Sequence, residues 1–480
     1  MLGFGPGDAK TIFRDLGELL VFASPALVAP ALVGLVYSEP LENLAVFAGT
    51  AVIGVLLGAL FKFAGKDSMQ TQPKHALAVT ALIWLLYTML GSVPFIYILN
   101  LPLQHAYFES MSMLTTTGIT ILGDLDGVPK SLVFWRSFMS WVGGIGVVVL
   151  ALSGVLQSQV KSVMLSVAEG REERLRPHIA NTLREVWGIY LVATIACTAL
   201  LAVLGMDAFN AVNYAMSAIS TNGAAPNTAG TNAYPSIPIY AVLLAFMFFG
   251  AIGFYSHYVA LVKRDPWEYA RNPEVLIFVA IMVFGSFLAV GEMGLARGIF
   301  HGASGASNAG MNIVPPQEIK EHWSEFNKLL VALLMIIGTG VGSTGGGIKL
   351  ARFGVIVQSL YWRIKSTVLP ENTYFKKEFG GAVITDEALD GVYQMVAVYV
   401  LLMLFTALVL TLNGAPAIDA LFEASSAQAN LGLSAGVSSQ EMPLASEISL
   451  IIAMWVGRLE VIPVLALIGF FIVQRKYYWS

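Results

Sequence analysis

The chain has 480 residues, of which 56% are hydrophobic and only 12% charged, about half the charged share of a soluble protein. This excludes an ordinary soluble fold and makes lipid the solvent for most of the surface. The net charge of −4 is too small to suggest a partner, nucleic acid included, and the single Cys197, inside an apolar run, leaves no intrachain disulfide or cysteine-rich metal site.

The opening segment, MLGFGPGDAKTIFRDLGELL, mixes acidic with basic residues and lacks a small-residue cleavage pattern, so the first apolar run is read as a retained span. Long apolar runs then predict ten spans, near 17–37, 43–64, 75–99, 131–157, 185–206, 235–262, 273–296, 326–360, 388–413 and 446–474. Between the third and fourth, fifth and sixth, seventh and eighth, and ninth and tenth lie four stretches of one pattern: SMLTTTG ending at Gly118, SAISTNG at Gly223, SGASNAG at Gly310 and SAQANLG at Gly432. In each, a serine (Ser112, Ser217, Ser304, Ser426) stands six residues before the glycine, and Thr116, Thr221, Asn308 or Asn430 stands two before it. The glycines are 105, 87 and 122 residues apart, irregular in spacing but regular in content. The expected fold is an all-α polytopic membrane protein: two leading helices (1–70), then four units of helix, re-entrant loop and helix (71–165, 166–271, 272–380 and 381–480) around a pseudo-fourfold pore.

Orientation follows from the basic residues. Lys10, Arg14, Lys62, Lys66, Lys74, Lys161, Arg171, Arg174, Arg176, Arg184, Lys263, Arg264, Arg271, Lys349, Arg352, Arg363, Lys365, Lys376, Lys377, Arg475 and Lys476 are 21 of the 27 Lys and Arg residues, and ten spans put all of them on one side. The positive-inside rule makes that side cytoplasmic, with both termini there and all four loops entering from outside. Asp207 and Asp419 suit the N-terminal ends of short helices within the loops, while Phe108, Phe300 and Phe422, with Asn213 departing, stand ten residues before their glycines. About ten residues of helix span ~15 Å, half the hydrocarbon core. Each helix would stop at mid-membrane with its negative end toward a shared axis, which favours a cation.

The chemistry sits in four oxygen-bearing strands: Thr115-Thr116-Thr117-Gly118, Ser220-Thr221-Asn222-Gly223, Ser307-Asn308-Ala309-Gly310 and Ala429-Asn430-Leu431-Gly432. Carbonyls and hydroxyls without a carboxylate suit a weakly hydrated monovalent cation better than calcium or magnesium. Turning successive carbonyls inward needs a backbone that a Cβ resists, although a single glycine would equally serve a helix cap or close packing. The run GTGVGSTGGG places Gly338, Gly340, Gly342, Ser343, Thr344, Gly345, Gly346 and Gly347 inside the eighth span, followed by Lys349. It lacks the Gly-Lys-Ser/Thr ending of a phosphate loop, and a helix cannot run well through six glycines in ten residues. The span should break below its own re-entrant loop, as a gate or as a packing-driven unwound segment. Arg458, in the middle of the last span, is read as a positive charge in the inner cavity, or else as part of a structural ion pair or a contact to re-entrant carbonyls. Arg136 is read as snorkelling from the outer end of its span, and Arg297 as interfacial.

TTTGIT at Thr115–Thr120, WRSFMSWVGGIGVVVL at Trp135–Leu150, GSTGGGIKLAR at Gly342–Arg352 and VGRLEVIPVL at Val456–Leu465 together resemble the Trk/Ktr/HKT superfamily of potassium transporters, over about 75–480. The two leading helices look like those of the bacterial TrkH-type branch. The resemblance implies a filter glycine in each unit, an intramembrane gating loop, an arginine below the filter and potassium as the transported ion. It also implies an inner-membrane homodimer regulated by a cytosolic nucleotide-binding ring, which would dock on the basic loops. In that family a serine at the first filter glycine goes with sodium permeability, so Gly118 favours potassium. Channel-like permeation is the leading expectation, and an ion-coupled secondary transporter with alternating access is the alternative. No catalytic dyad or metal set suggests an enzyme.

Overall fold

A computed structural model describes residues 7–66, 68–152, 175–314, 316–370 and 375–478. Lys161, Arg171 and Arg174, the inner end of the expected 131–157 span and the boundary at 165–166 lie outside the described residues.

Among the described residues the chain is all-α apart from one hairpin of two-residue strands. It opens with α1 (Asp8–Ala23), a 3-10 turn at Ser24–Leu27 containing Pro25, α2 (Val28–Val36) and α3 (Leu41–Ala64). α4 (Pro73–Leu99) starts on a proline and ends where Asn100 turns left-handed, at φ 54°. The short α5 (Leu103–Leu114) and long α6 (Lys130–Leu152) follow, then α7 (Leu175–Val203), α8 (Ala208–Ile219) and α9 (Ile237–Ala251). After the small α10 (Phe254–His257) and α11 (Glu268–Arg271) come α12 (Pro273–Met293), α13 (Leu295–Ala306), α14 (Pro316–His322), α15 (Glu325–Ile337) and α16 (Leu350–Val368). The hairpin pairs β1 (Glu378–Phe379) with β2 (Ala382–Val383) across Gly380 and Gly381, both at positive φ, the geometry a two-residue hairpin needs. α17 (Asp386–Leu412), α18 (Ala417–Ala429), α19 (Leu444–Leu459) and α20 (Ile462–Tyr478) complete the chain.

Large apolar side chains such as Leu56, Val192, Phe287 and Leu401 stand exposed on the outer faces. Hydroxyls and amides of the serine-glycine stretches are buried at the centre. Apolar outside and polar within is the arrangement of a protein whose solvent is lipid. Among the described residues seven continuous helices are long and apolar enough to cross a membrane, and nine segments if two sharply bent pairs each count as one.

Three expected spans are not continuous helices. The 326–360 run breaks between α15 and α16, as its glycines predict. The 235–262 run bends by 102° between α9 and the Phe254–Val262 segment, and the 446–474 run by 109° between α19 and α20. Ile252 is extended at the first bend, while Glu460 and Val461 at the second are left-handed, with φ of 61° and 71°. Arg458 therefore sits in the last turn of α19, at the break of this run rather than within a continuous helix. Apolar periodicity could not reveal the first bend because the composition stays apolar through Ala251–Phe254, whereas the second falls at the charged Arg458 and Glu460.

Candidate ion pathway

The site is assembled where four half-length helices end. α5, α8 and α13 stop one residue before Thr115, Ser220 and Ser307, and α18 stops at Ala429. The strands that follow are buried, with Thr115, Thr116, Thr117, Ser220, Thr221, Asn222, Asn308, Ala309, Asn430 and Leu431 all fully covered and Ser307 nearly so.

The four glycines close into one ring. A Cβ built on Gly118 would lie 2.7 Å from Gly223 N, and one on Gly223 would lie 2.5 Å from Gly310 O. A Cβ on Gly310 would lie 1.5 Å from Leu431 O, and one on Gly432 would lie 2.3 Å from Thr117 O. Four backbones therefore meet about one axis with no room for a side chain between them. Gly118, Gly310 and Gly432 also have φ of 84°, 64° and 105°, which L side chains rarely adopt; Gly223 does not, and needs glycine for space alone. The residue two before each glycine makes the turn out of the helix: Thr116, Thr221, Asn308 and Asn430 are left-handed, with φ of 59°, 50°, 50° and 54°. Asparagine tolerates that region, whereas a β-branched threonine is strained there.

The serine six residues before the glycine is a staple. Ser112, Ser217 and Ser304 each donate from Oγ to the carbonyl one residue past the glycine: Ile119 O at 2.6 Å, Ala224 O at 2.8 Å and Met311 O at 2.7 Å. Ser426 differs, its Oγ accepting from Gly432 N at 3.1 Å. Each bond ties a strand back to its own helix, leaving the carbonyls before the glycine free to turn elsewhere. Side chains link neighbouring strands: Asn430 Nδ2 donates to Thr117 Oγ1 at 3.0 Å, and Asn308 Nδ2 to Ala429 O at 2.9 Å. Behind the ring, Gly143, Gly250 and Gly457 let the next helix touch a helix-terminal carbonyl. A Cβ there would lie 1.9 Å from Leu114 O, 2.5 Å from Ile219 O and 1.9 Å from Gln428 O, respectively. A polar cavity of about 650 Å³, lined by residues such as Thr120, Ala224, Asn312 and Ser434, reaches Gly118, Gly223 and Gly432 from the other side.

Two buried carboxylates escaped the sequence reading. Glu109 and Glu423 stand nine residues before Gly118 and Gly432, where Tyr214 and His301 stand in the other two copies. Glu109 accepts from Thr120 Oγ1 at 2.9 Å and Ile121 N at 3.2 Å; Glu423 accepts from Ser434 Oγ at 2.9 Å and Ala435 N at 2.9 Å. The recurrence of Glu at −9 with a hydroxyl residue at +2 was the available signal. Arg136 corrects a second expectation. It is 1% exposed and does not snorkel: its Nε donates to Glu109 at 2.9 Å and its Nη1 to Ala225 O at 3.2 Å. A buried carboxylate one helix away offered a better partner than the membrane surface. Arg297, by contrast, is exposed and pairs with Glu318 at 2.5 Å, consistent with an interfacial position.

The glycine-rich segment between α15 and α16 has left-handed backbone at Gly338, Gly342, Gly347 and Lys349. It reaches past its own unit. Gly340 N donates to Ala251 O at 3.0 Å and Phe254 N to Gly342 O at 3.0 Å, so the α9–α10 bend pairs with the loop as an extended strand would. Thr344 Oγ1 donates to Ile219 O at 2.9 Å and Gly250 O at 3.0 Å. On the other side, a Cβ on Gly346 would lie 2.1 Å from Ala429 O. The loop thus runs beneath the second and fourth strands, rather than only below the third. Ser343 bonds Thr339 at 2.8 Å within the loop, and Gly345 packs on the Thr339 side chain. Arg458 clamps the loop from α19: Nη1 donates to Thr344 O at 2.6 Å and Nη2 to Gly143 O at 3.1 Å. Both acceptors are backbone carbonyls, but they belong to the broken span and to α6 rather than to the re-entrant strands the sequence reading named. Lys349 turns inward to Gly345 O at 2.5 Å, and Arg352 pairs with Glu460 at 2.5 Å. These two basic residues are buried, unlike the surface charges the orientation reading assumed, because the break leaves carbonyls and a carboxylate for them to satisfy.

Known proteins share this architecture. The crystal structure of the potassium transporter TrkH from Vibrio parahaemolyticus superposes with a TM-score of 0.84 at 27% identity, covering 95% of this chain and 98% of that one. The Trk system potassium uptake protein TrkH of Escherichia coli is 28% identical over 480 residues, 95% of this chain and 98% of that protein. An uncharacterised cation transporter of Methanocaldococcus jannaschii is 28% identical over 468 residues, 96% of this chain and 95% of its own. A family model described as TrkH, cation transport protein, matches residues 43–271 and 294–477, and the chain belongs to that family.

Proposed function

We propose that this protein takes up potassium across the cytoplasmic membrane by channel-like permeation through the ring of four strands. The observation that carries the reading is the closure of the ring: four glycine backbones from four separate segments touch in cyclic order, with no space for a Cβ at any of them. Strands of backbone and hydroxyl oxygens can replace the hydration shell of a monovalent cation, and the four short helices direct their negative ends toward the same axis. Thr115 to Gly118 is the richest strand in side-chain oxygen and is assigned the main share of selectivity. The relatives named for potassium uptake support potassium as the ion.

In this reading residues 1–70 lead four pore units, 71–165, 166–271, 272–380 and 381–480. The 338–347 loop is the gate, with Arg458 and Lys349 as its latches. Both termini are cytoplasmic, the molecule is a homodimer, and a cytosolic nucleotide-binding ring acts on the basic inner loops. Ion-coupled alternating access is the second reading, favoured by the bends of 102° and 109° beside the broken third unit, since broken helices also serve transporters.

Purified protein in liposomes should take up rubidium down its gradient, driven by membrane potential alone. No uptake with or without a cytosolic regulator would refute conduction. Uptake that requires an imposed proton or sodium gradient would favour the coupled transporter.

A further inference from the structure

The position nine residues before each ring glycine carries Glu109, Tyr214, His301 and Glu423, and the two carboxylates have like bonds but unlike charge balance. Each reaches across to the strand leaving the ring and accepts from the hydroxyl two residues past the glycine and the amide three past it. Each hydroxyl accepts in turn from an amide: Leu122 N to Thr120 Oγ1 at 3.2 Å, Gly436 N to Ser434 Oγ at 3.0 Å. Beyond that shared frame they diverge. Glu109 has Arg136 Nε at 2.9 Å, so its charge is cancelled. Glu423 instead collects Ser438 Oγ at 2.5 Å and Ser438 N at 3.3 Å, and no described basic side chain forms an ion pair with it. It is fully buried, yet hydroxyls and amides converge on its oxygens, which is how a protein holds a carboxylate away from water.

We propose that Glu423 is an affinity-determining residue for the entering cation: its carboxylate, held by Ser434, Ala435 and Ser438, supplies the outer end of the ring with a negative charge with which no described arginine or lysine forms an ion pair. It acts through space and through the strand it positions, not as a direct ligand. Ser434 and Ser438, which it anchors, and Gly436, which Ser434 holds, line the same cavity that reaches Gly118, Gly223 and Gly432, so the charge lies behind the wall of the approach path. In a low-dielectric surround an unscreened charge acts over such a distance, whereas the Glu109–Arg136 pair contributes little beyond a dipole. The inference rests on the ring being the ion pathway.

The test compares rubidium uptake by wild type, Glu423→Gln, Glu423→Asp and Arg136→Gln in liposomes, with KM and maximal rate measured separately and protein insertion quantified. Glu423→Gln should raise KM about three- to tenfold, and Glu423→Asp, which keeps the charge, should stay within about twofold of wild type. Arg136→Gln uncovers the Glu109 charge and should lower KM; it reports independently should Glu423→Gln fail to insert. An unchanged KM in Glu423→Gln, equal defects in Gln and Asp, or a raised KM in Arg136→Gln would overturn the inference. Wild type without uptake would instead refute the proposed conduction.

Discussion

The ring and the loop beneath it are both made of glycine-rich backbone, but they are held in opposite ways. Each strand of the ring is stapled within its own unit by a serine on the helix it follows: Ser112, Ser217, Ser304 and Ser426. Contacts so short in sequence form with the local fold and cannot be released one at a time without deforming the helix end. The loop occurs once and is held from afar, by backbone bonds of Gly340 and Gly342 to the α9–α10 bend, by Ile219 O and Gly250 O on Thr344, and by Arg458 reaching from α19. If the loop is the gate proposed above, such side-chain latches would open singly while both flanking helices stay folded. In the proposed reading, similar composition yields a fixed element and a releasable one, and the difference lies in where the partners come from.

The comparison breaks most visibly at Gly310. Alanine there would place its Cβ 1.5 Å from Leu431 O, so transport per inserted molecule should fall at least about a hundredfold, or the protein should fail to assemble. Near-normal rubidium uptake by Gly310→Ala would mean the ring is not closed. At the loop the sign reverses. Arg458→Gln removes charge-assisted bonds worth about 1.5–3 kcal/mol each, so flux without a regulator should rise about tenfold. A matching loss of flux would make Arg458 part of the conducting scaffold instead. Shortening 338–347 should act in the same direction. A smaller effect is expected from Ser112→Ala, which deletes one staple worth about 1 kcal/mol and should lower thermal stability and blur selectivity modestly while leaving the gate alone. Arg297→Ala, which removes an exposed pair with Glu318, should change stability by no more than about 0.5 kcal/mol and transport not at all.

Much of this was legible from residues alone because it repeats. The serine at −6 and the Thr or Asn at −2 stood out as pattern, and in the fold the first becomes the staple and the second the left-handed turn. The break after Ile337 followed from glycine density, since backbone entropy and missing side chains are local properties. The bends at Ile252 and Glu460 were not legible, because each is stabilised by a distant partner: the α9–α10 bend by Gly340 and Gly342, and Glu460 by Arg352. Arg136 was misread for the same reason, its partner Glu109 lying on another helix. Asp207 was placed correctly as a helix cap because its bond, from Asn210 N at 3.0 Å, spans three residues.

The most direct measurement is the potassium-to-sodium preference of Gly118→Ser against wild type, read as rubidium uptake in liposomes with sodium competing. Gly118 has φ of 84° and its Cβ would press on Gly223 N at 2.7 Å, so serine must distort the richest strand of the ring. Wild type should favour rubidium over sodium, and Gly118→Ser should lose that preference by about tenfold, some 1.4 kcal/mol in relative binding, while still conducting. An unchanged ratio in a variant that inserts and transports would contradict the assignment of the ring as the selective element.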